Sequence, residues 1–339
     1  MPPAREAPND EALNAEASKD VIAAFDRASQ ALGRARQALR GVIFGQDTAV
    51  ELALAAVVGG GHALVTGAPG VSKTRLVEAL GRTLGLHTGR LPLATEVTLE
   101  DLIGAGDDVR RETGEAGRRR SRAGPIFRHL LLLENLAAAP PRVRALLIEA
   151  LQDGGLTHGG RTWPLPRPFH VLATGDTDVA AGLSQAEADR FLLQIDMGWP
   201  DRSGERRLLL ETGDEAPLDL RPVLDVQTLL EAQRTAVALP VGEAVVQTIL
   251  ELVRRARPDD PSAPTMVREA VARGPGPRAG QALMRLTRAR ALLDGRPAPS
   301  QADVRALALA VLKPRLSLQA LCRRGPTAEE VVNAVLASL

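Results

Sequence analysis

The sequence predicts an α/β core with a mostly parallel sheet, followed by an all-helical unit. Three observations carry this expectation. The apolar run His62-Ala63-Leu64-Val65-Thr66 leads into Gly67-Ala68-Pro69-Gly70-Val71-Ser72-Lys73-Thr74, and a helical pattern from Arg75 to Leu80 follows. Two more apolar runs, Leu130-Leu131-Leu132-Leu133 and Phe169-His170-Val171-Leu172-Ala173-Thr174, have the length and composition of strands buried on both faces. After Pro200 the strand pattern stops, and prolines punctuate a series of helical stretches. Strands that alternate with helices form a layered sandwich whose ligands sit at the carboxyl ends of the strands.

Residues 1–18 are rich in Pro, Ala, Asn, Asp and Glu and read as a flexible tail without an apolar signal core. From Lys19 to Leu39, Val21, Ile22, Phe25, Ala28, Leu32 and Leu39 recur at roughly helical spacing, with Arg27, Arg34, Arg36 and Arg40 among them. Asp47 or Thr48 is placed to cap a helix that runs to Val58 and stops at Gly59-Gly60-Gly61. Leu91-Pro92-Leu93 reads as a short edge strand, and Thr98-Leu99-Glu100-Asp101 as the capping segment of a short helix. The stretch 106–123 is polar and basic, with Gly114 placed for a hairpin turn. Pro140-Pro141 starts a helix, and the glycine pairs 154–155 and 159–160 bracket a hairpin that reaches Trp163. A helix near Gln185 and a strand through Ile195 close the core, taken as residues 19–215. Helices at 201–213, 227–237, 242–257, 265–272, 278–294, 300–312 and 326–338 follow, most of them within a second domain at 216–339.

Strand, glycine-containing loop, Lys-Thr and helix form the context of a phosphate-binding loop. Backbone N–H groups of the loop and the positive end of the next helix face an anion. Lys73 is placed to reach terminal phosphates, and the Thr74 hydroxyl to hold Mg²⁺. One position departs from the usual pattern: Ser72 stands where a glycine precedes the Lys, and Ser lacks the easy access of Gly to positive φ. Lys73, Glu134 and Asp176 all fall at or just past the carboxyl ends of strands, which draws them to one place.

Composition excludes several classes. Apolar residues make up 45% of the 339, so a sizeable core is available. Aromatics are only 2%, with no Tyr, which argues against stacking on single-stranded nucleic acid. A net charge of +1 gives no global pull towards nucleic acid or membrane. The single cysteine, Cys322, rules out an internal disulfide framework and a cysteine-based zinc site. No apolar run has the ~18–20 residues that span a bilayer, and the expectation is a cytoplasmic protein.

Seven short segments, read in order, resemble the MoxR family of AAA+ ATPases, relatives of the magnesium chelatase ATPase subunit. They are Gly45-Gln46, residues 67–74, Gly124-Pro125-Ile126-Phe127, Ala139-Pro140-Pro141, Leu165-Pro166-Arg167-Pro168-Phe169, Val171-Leu172-Ala173-Thr174 and Asp189-Arg190-Phe191-Leu192-Leu193. Gly274-Pro275-Gly276-Pro277-Arg278-Ala279 resembles the second-sensor segment of the same family, and the likeness spans about residues 20–316. The resemblance implies a P-loop AAA+ core with a five-stranded sheet, an insertion hairpin at 106–123 facing a ring pore, and a helical lid. It implies ATP and Mg²⁺ as cofactors, bound by Gln46 and by Gly67, Ala68, Pro69, Gly70, Val71, Ser72, Lys73 and Thr74, with Thr74 and Glu134 towards the metal. It also implies a ring, typically a hexamer, that remodels or activates a client protein, often with a partner carrying a von Willebrand factor A domain.

The chain departs from the family where the held phosphate is acted on. The usual Asp-Glu pair at the end of the third core strand is Glu134-Asn135 here, the first-sensor Asn is Asp176, and a following Asn-Arg is Ala137-Ala138. Asn135 has no titratable base, and a missing general base costs ~10²–10⁴ in rate. Asp176, when ionised, accepts hydrogen bonds only and repels phosphate unless a cation intervenes. In the slow-ATPase reading, Asp176 or a carboxylate from elsewhere, such as Asp178, is the candidate to replace the lost base. Arg190 matches the arginine finger given to a neighbour's nucleotide, and Arg278 the second sensor. Three functions fit: a slow ATPase with a chaperone-like cycle, a hydrolysis-deficient nucleotide-binding scaffold in a ring of its own copies or mixed with an AAA+ paralogue, and a DNA-acting AAA+ protein.

Overall fold

Five parallel strands position the functional groups. In the computed structural model they are β1 (Ala63–Gly67), β2 (Thr88–Pro92), β3 (Leu130–Glu134), β6 (His170–Gly175) and β7 (Leu193–Met197), paired in the order β2-β3-β6-β1-β7. The structure describes residues 10–104, 124–158, 160–176, 182–210, 219–319 and 325–339. The basic stretch 106–123 with Gly114, and also Asp178 and Cys322, lie outside the described residues.

Side-chain alternation sorts the sheet into two buried faces. Ala63, Val65, Leu130, Leu132, Leu172, Leu193 and Ile195 share one apolar cluster with α1 (Asp10–Arg40), α2 (Asp47–Val58) and α3 (Lys73–Thr83). Leu64, Leu131, Leu133, Val171 and Ala173 face α4 (Leu99–Ile103) and α5 (Pro141–Asp153). Burial on both sides is why the central strands read as continuous apolar runs. Between α5 and β6 lies the hairpin β4 (Gly155–His158) and β5 (Arg161–Pro164), as its glycines predict. Thr98 caps α4 reciprocally with Asp101, and Ser184 caps α6 (Gln185–Ala188) with Glu187.

After α7 (Arg202–Leu210) come α8 (Val226–Ala238), α9 (Glu243–Arg255), α10 (Thr265–Ala270), α11 (Pro277–Leu293), α12 (Gln301–Leu312) and α13 (Ala328–Ala337). Each matches a helix read from the sequence within a few residues. A two-stranded ribbon, β8 (Val271–Arg273) with β9 (Ser317–Leu318), also joins this unit, and the strands are too short to leave a periodic signal. The unit is not separate from the core: Leu229, Ala282, Leu286 and Val311 belong to the same apolar cluster as the sheet. Helix α12 also packs against the edge strand β7.

Three local expectations are corrected. Helix α1 starts at Asp10, so half of the expected tail is helical. Within it Val21 and Ile22 are 66% and 61% exposed, and the buried stripe is Ala28, Ala31, Leu32, Ala35 and Leu39. Gln46, not Asp47 or Thr48, occupies the N-cap position of α2, without a side-chain cap. The arginines of α1 are partly structural. Arg36 meets Glu51 and Asp294, and Arg40 meets Asp47 and Glu51.

Two buried histidines tie the amino ends of the strands together. His62 Nε2 lies 3.2 Å from the Leu151 carbonyl, and its Nδ1 accepts from the Val171 N–H at 3.0 Å. His170 Nδ1 lies 2.8 Å from the Gly61 carbonyl, and its Nε2 lies 3.1 Å from Gln233 Nε2. One neutral tautomer of each ring satisfies every contact. Burial is the main cause that holds His62 down at about 3 and His170 at about 4. Both values lie below the unfolded value near 6.5, so the unfolded chain binds more protons between them. The stabilisation is complete above about pH 6.5 and is lost as the pH falls through this window. Urea unfolding at pH 7 and pH 5 is expected to differ by about 3–4 kcal/mol, with most of the difference gone in a His62→Gln/His170→Gln variant. A difference below about 1 kcal/mol contradicts this reading.

Candidate nucleotide site at the carboxyl ends of the strands

The loop between β1 and α3 is built by close approach and by unusual backbone angles. A Cβ on Gly67 would meet the Met197 carbonyl oxygen at 2.3 Å, so only Gly lets the loop start against β7. Gly70 takes φ +86°. Ser72, at the N-cap of α3, takes φ +67° and ψ 31°. The position therefore does demand the left-handed conformation that glycine supplies elsewhere, and Ser adopts it at a cost of about 1–2 kcal/mol. That corrects the expectation that Ser would avoid this geometry.

Lys73 Nζ donates to the carbonyls of Gly67 at 2.6 Å and Ala68 at 2.9 Å. Burial holds its ammonium below the ordinary lysine value, and the nearby Asp176 carboxylate acts in the opposite direction. A partly desolvated cation in a loop at a helix start, where free backbone N–H groups favour anions, fits a phosphate chain. Thr74 Oγ1 donates to Glu134 Oε1 at 3.0 Å, so the expected metal pair is assembled. The metal's fit is less complete. Arg90 of β2 holds both carboxylate oxygens of Glu134, with Nε 3.0 Å from Oε2 and Nη2 3.1 Å from Oε1. A magnesium ion requires oxygen donors in near-octahedral order, and this carboxylate is already engaged.

Asn135 follows β3 with φ +62° and ψ 52°, exposed, as the N-cap of a 3-10 turn over Leu136–Ala138. Its N–H donates to the Thr174 carbonyl at 2.8 Å, which binds the ends of β3 and β6. Asn is one of the few residues that occupy this region readily. Asp176 is exposed one residue beyond β6, on the side of Lys73. Gln46 is placed differently from a ligand-facing group: it is buried, and its Nε2 donates to the Gly198 carbonyl at 2.6 Å.

Arg190 and Arg278 do not join this group. Arg190 stands just before β7, at the amino ends of the strands. Arg278, in the first turn of α11, lies 3.7 Å from Asp189. Burial and the adjacent Arg278 both lower the Arg190 guanidinium, whose Nε is buried without a hydrogen-bond partner. Strands of five residues separate these arginines from Lys73 by roughly 16 Å of sheet.

The group that sets this arginine pair is Arg315, which the sequence did not single out. Its side chain is 2% exposed; Nε donates to Asp189 Oδ1 at 2.9 Å. Its Nη1 donates to the carbonyls of Leu192 and Val311, and its Nη2 to that of Phe191. Lys313, two residues earlier, bonds Asp196 of β7 at 2.7 Å. Arg90 was also missed. A charged residue on the exposed face of the edge strand beside β3 is its only trace in the sequence.

The sheet order, the strand–loop–helix unit at β1 and the helical unit behind it define an AAA+ ATPase fold. Residues 62–193 match the ATPase family associated with various cellular activities (AAA), and residues 263–335 match the AAA lid domain. The chain is 32% identical to Chaperone MoxR1 of Mycobacterium tuberculosis over 290 residues, covering 85% of this chain and 76% of the relative. It is 27% identical to Protein MoxR of Methylorubrum extorquens over 328 residues, covering 90% and 93%. A solved structure of a putative ATPase from Cytophaga hutchinsonii superposes with a TM-score of 0.84 over 96% of this chain and 98% of that one, and at 22% identity this likeness speaks for the fold. The chain belongs to the MoxR family of AAA+ ATPases. Among the described residues no single helix is long and apolar enough to cross a membrane.

Proposed function

We propose that the chain binds ATP at residues 67–74 and works in a ring of copies, of hexameric type, that remodels or activates a partner protein, with turnover slowed at Asn135. The observation that carries the shared site is the separation of Lys73 from Arg190 and Arg278. Two arginines at the amino ends of the strands are too far from their own loop to touch its phosphates, and their placement suits the nucleotide of a neighbouring copy. Lys73, the loop N–H groups and the start of α3 hold the phosphates from one side. Arg190 and Arg278 of the next copy complete the charge on the other. A magnesium ion accompanying the nucleotide neutralises phosphate charge, with Thr74 as the residue left to meet it. The partner-directed role is supported by the Mycobacterium tuberculosis relative, Chaperone MoxR1. A von Willebrand factor A-domain protein or a second AAA+ chain is the kind of partner to look for.

A second reading, a scaffold that binds ATP without hydrolysing it, is favoured by Asn135, which lacks a base, and by Glu134, which is held by Arg90. The DNA-acting reading loses part of its support, because Arg36 and Arg40 are engaged in ion pairs. Light scattering on a sizing column tests the shared site. ATP is expected to drive the chain into a ring, and both Lys73→Ala and Arg190→Ala to keep it small. ATP-driven assembly that survives Arg190→Ala contradicts the placement of the finger.

A further inference from the structure

We infer that Arg90 is a built-in counter-cation for Glu134, a positioning residue that lets the loop hold a nucleotide whether or not a divalent cation is present. The inference rests on the nucleotide-binding reading above and extends it to the metal requirement of the same site. Its basis is geometric. Glu134 ends β3 beside the loop, and its Oε1 already accepts from Thr74, the hydroxyl expected to meet the metal. Arg90 then takes both oxygens of the same carboxylate in a two-pronged pair, at 3.0 and 3.1 Å. The pairing is the main cause that raises the Arg90 guanidinium, and Glu78 of α3 adds a second carboxylate in the same direction. A planar guanidinium matches a carboxylate in this way and a lysine ammonium does not.

The consequence follows from charge. A nucleotide on the loop brings its phosphates close to Glu134. An unpaired carboxylate there repels them, and in most such sites a divalent cation removes the repulsion. Here Arg90 removes it in advance. Half-exposed on the edge strand, at 56% of its side-chain surface, it can also swing from Glu134 to a phosphate oxygen without disturbing the core. The longer Glu at position 134, in place of the Asp expected from the family resemblance, helps the carboxylate reach both Thr74 and Arg90.

The test is the affinity of a fluorescent ATP analogue for the full chain, with magnesium and with a chelator, at fixed ionic strength. For the wild-type chain the two dissociation constants are expected to agree within about threefold. In Arg90→Gln the chelator is expected to weaken binding at least tenfold, about 1.4 kcal/mol, while binding with magnesium changes little. Arg90→Lys keeps the charge without the two-pronged geometry and is expected to restore most of the metal-free affinity. A merely structural role would weaken both conditions alike and lower the melting temperature, which overturns the inference. Loss of wild-type binding on chelation also overturns it while leaving nucleotide binding intact. Failure to bind under either condition overturns the proposed function and this inference with it.

Discussion

Asn135→Glu is expected to raise steady-state ATP turnover by about 10²–10⁴-fold, the usual contribution of a positioned general base. The residue sits directly after Glu134, where β3 delivers its last side chain to the loop, and it is exposed. An amide there orients water weakly and takes no proton. The substitution has a conformational cost. The backbone at 135 is left-handed, which Asn tolerates, and Glu loses about 1–2 kcal/mol in that region. Turnover is therefore to be measured as phosphate release below the melting temperature of the variant. An unchanged rate in folded Asn135→Glu moves the defect to Asp176 or to the engaged Glu134.

Arg315→Met is expected to destabilise the fold by about 3–5 kcal/mol, the cost of breaking a buried ion pair by removing one partner. The guanidinium serves Asp189 and the carbonyls of Leu192, Val311 and Phe191 at once, and its removal takes all of these bonds away, with Arg278 at 3.7 Å as the cation left beside Asp189. Burial already lowers the Arg315 guanidinium, with Asp189 as the charge that opposes this. The loss is large against a total stability of about 5–15 kcal/mol. Denaturant melts read it directly. A change under about 1 kcal/mol would mean that the arginine loop is held by something else. Arg315 also links the helical unit to Asp189, the residue before Arg190.

The strands and helices were legible because periodicity and punctuation report burial. Residues 130–133 are wholly apolar and residues 169–174 mostly so, and both stretches lie between helices on both sides of the sheet. The phosphate loop was legible because its backbone demands leave small residues in sequence. The remainder depended on contacts between distant segments. Arg90 meets Glu134 across 44 residues and Arg315 meets Asp189 across 126, and nothing local marks the partner of either arginine. Ser72 was misjudged because a residue name conveys preference and not the angle that surrounding contacts impose. The separation of Arg190 from Lys73 could have been drawn from strand order alone, since one precedes β7 and the other follows β1.

The most direct measurement is bound nucleotide and released phosphate on the same pure wild-type chain. About one ATP per chain is expected, lost in Lys73→Ala, with phosphate release slower than at an intact AAA+ site by about 10²–10⁴-fold. Turnover at ordinary AAA+ rates, abolished by Lys73→Ala, would contradict it.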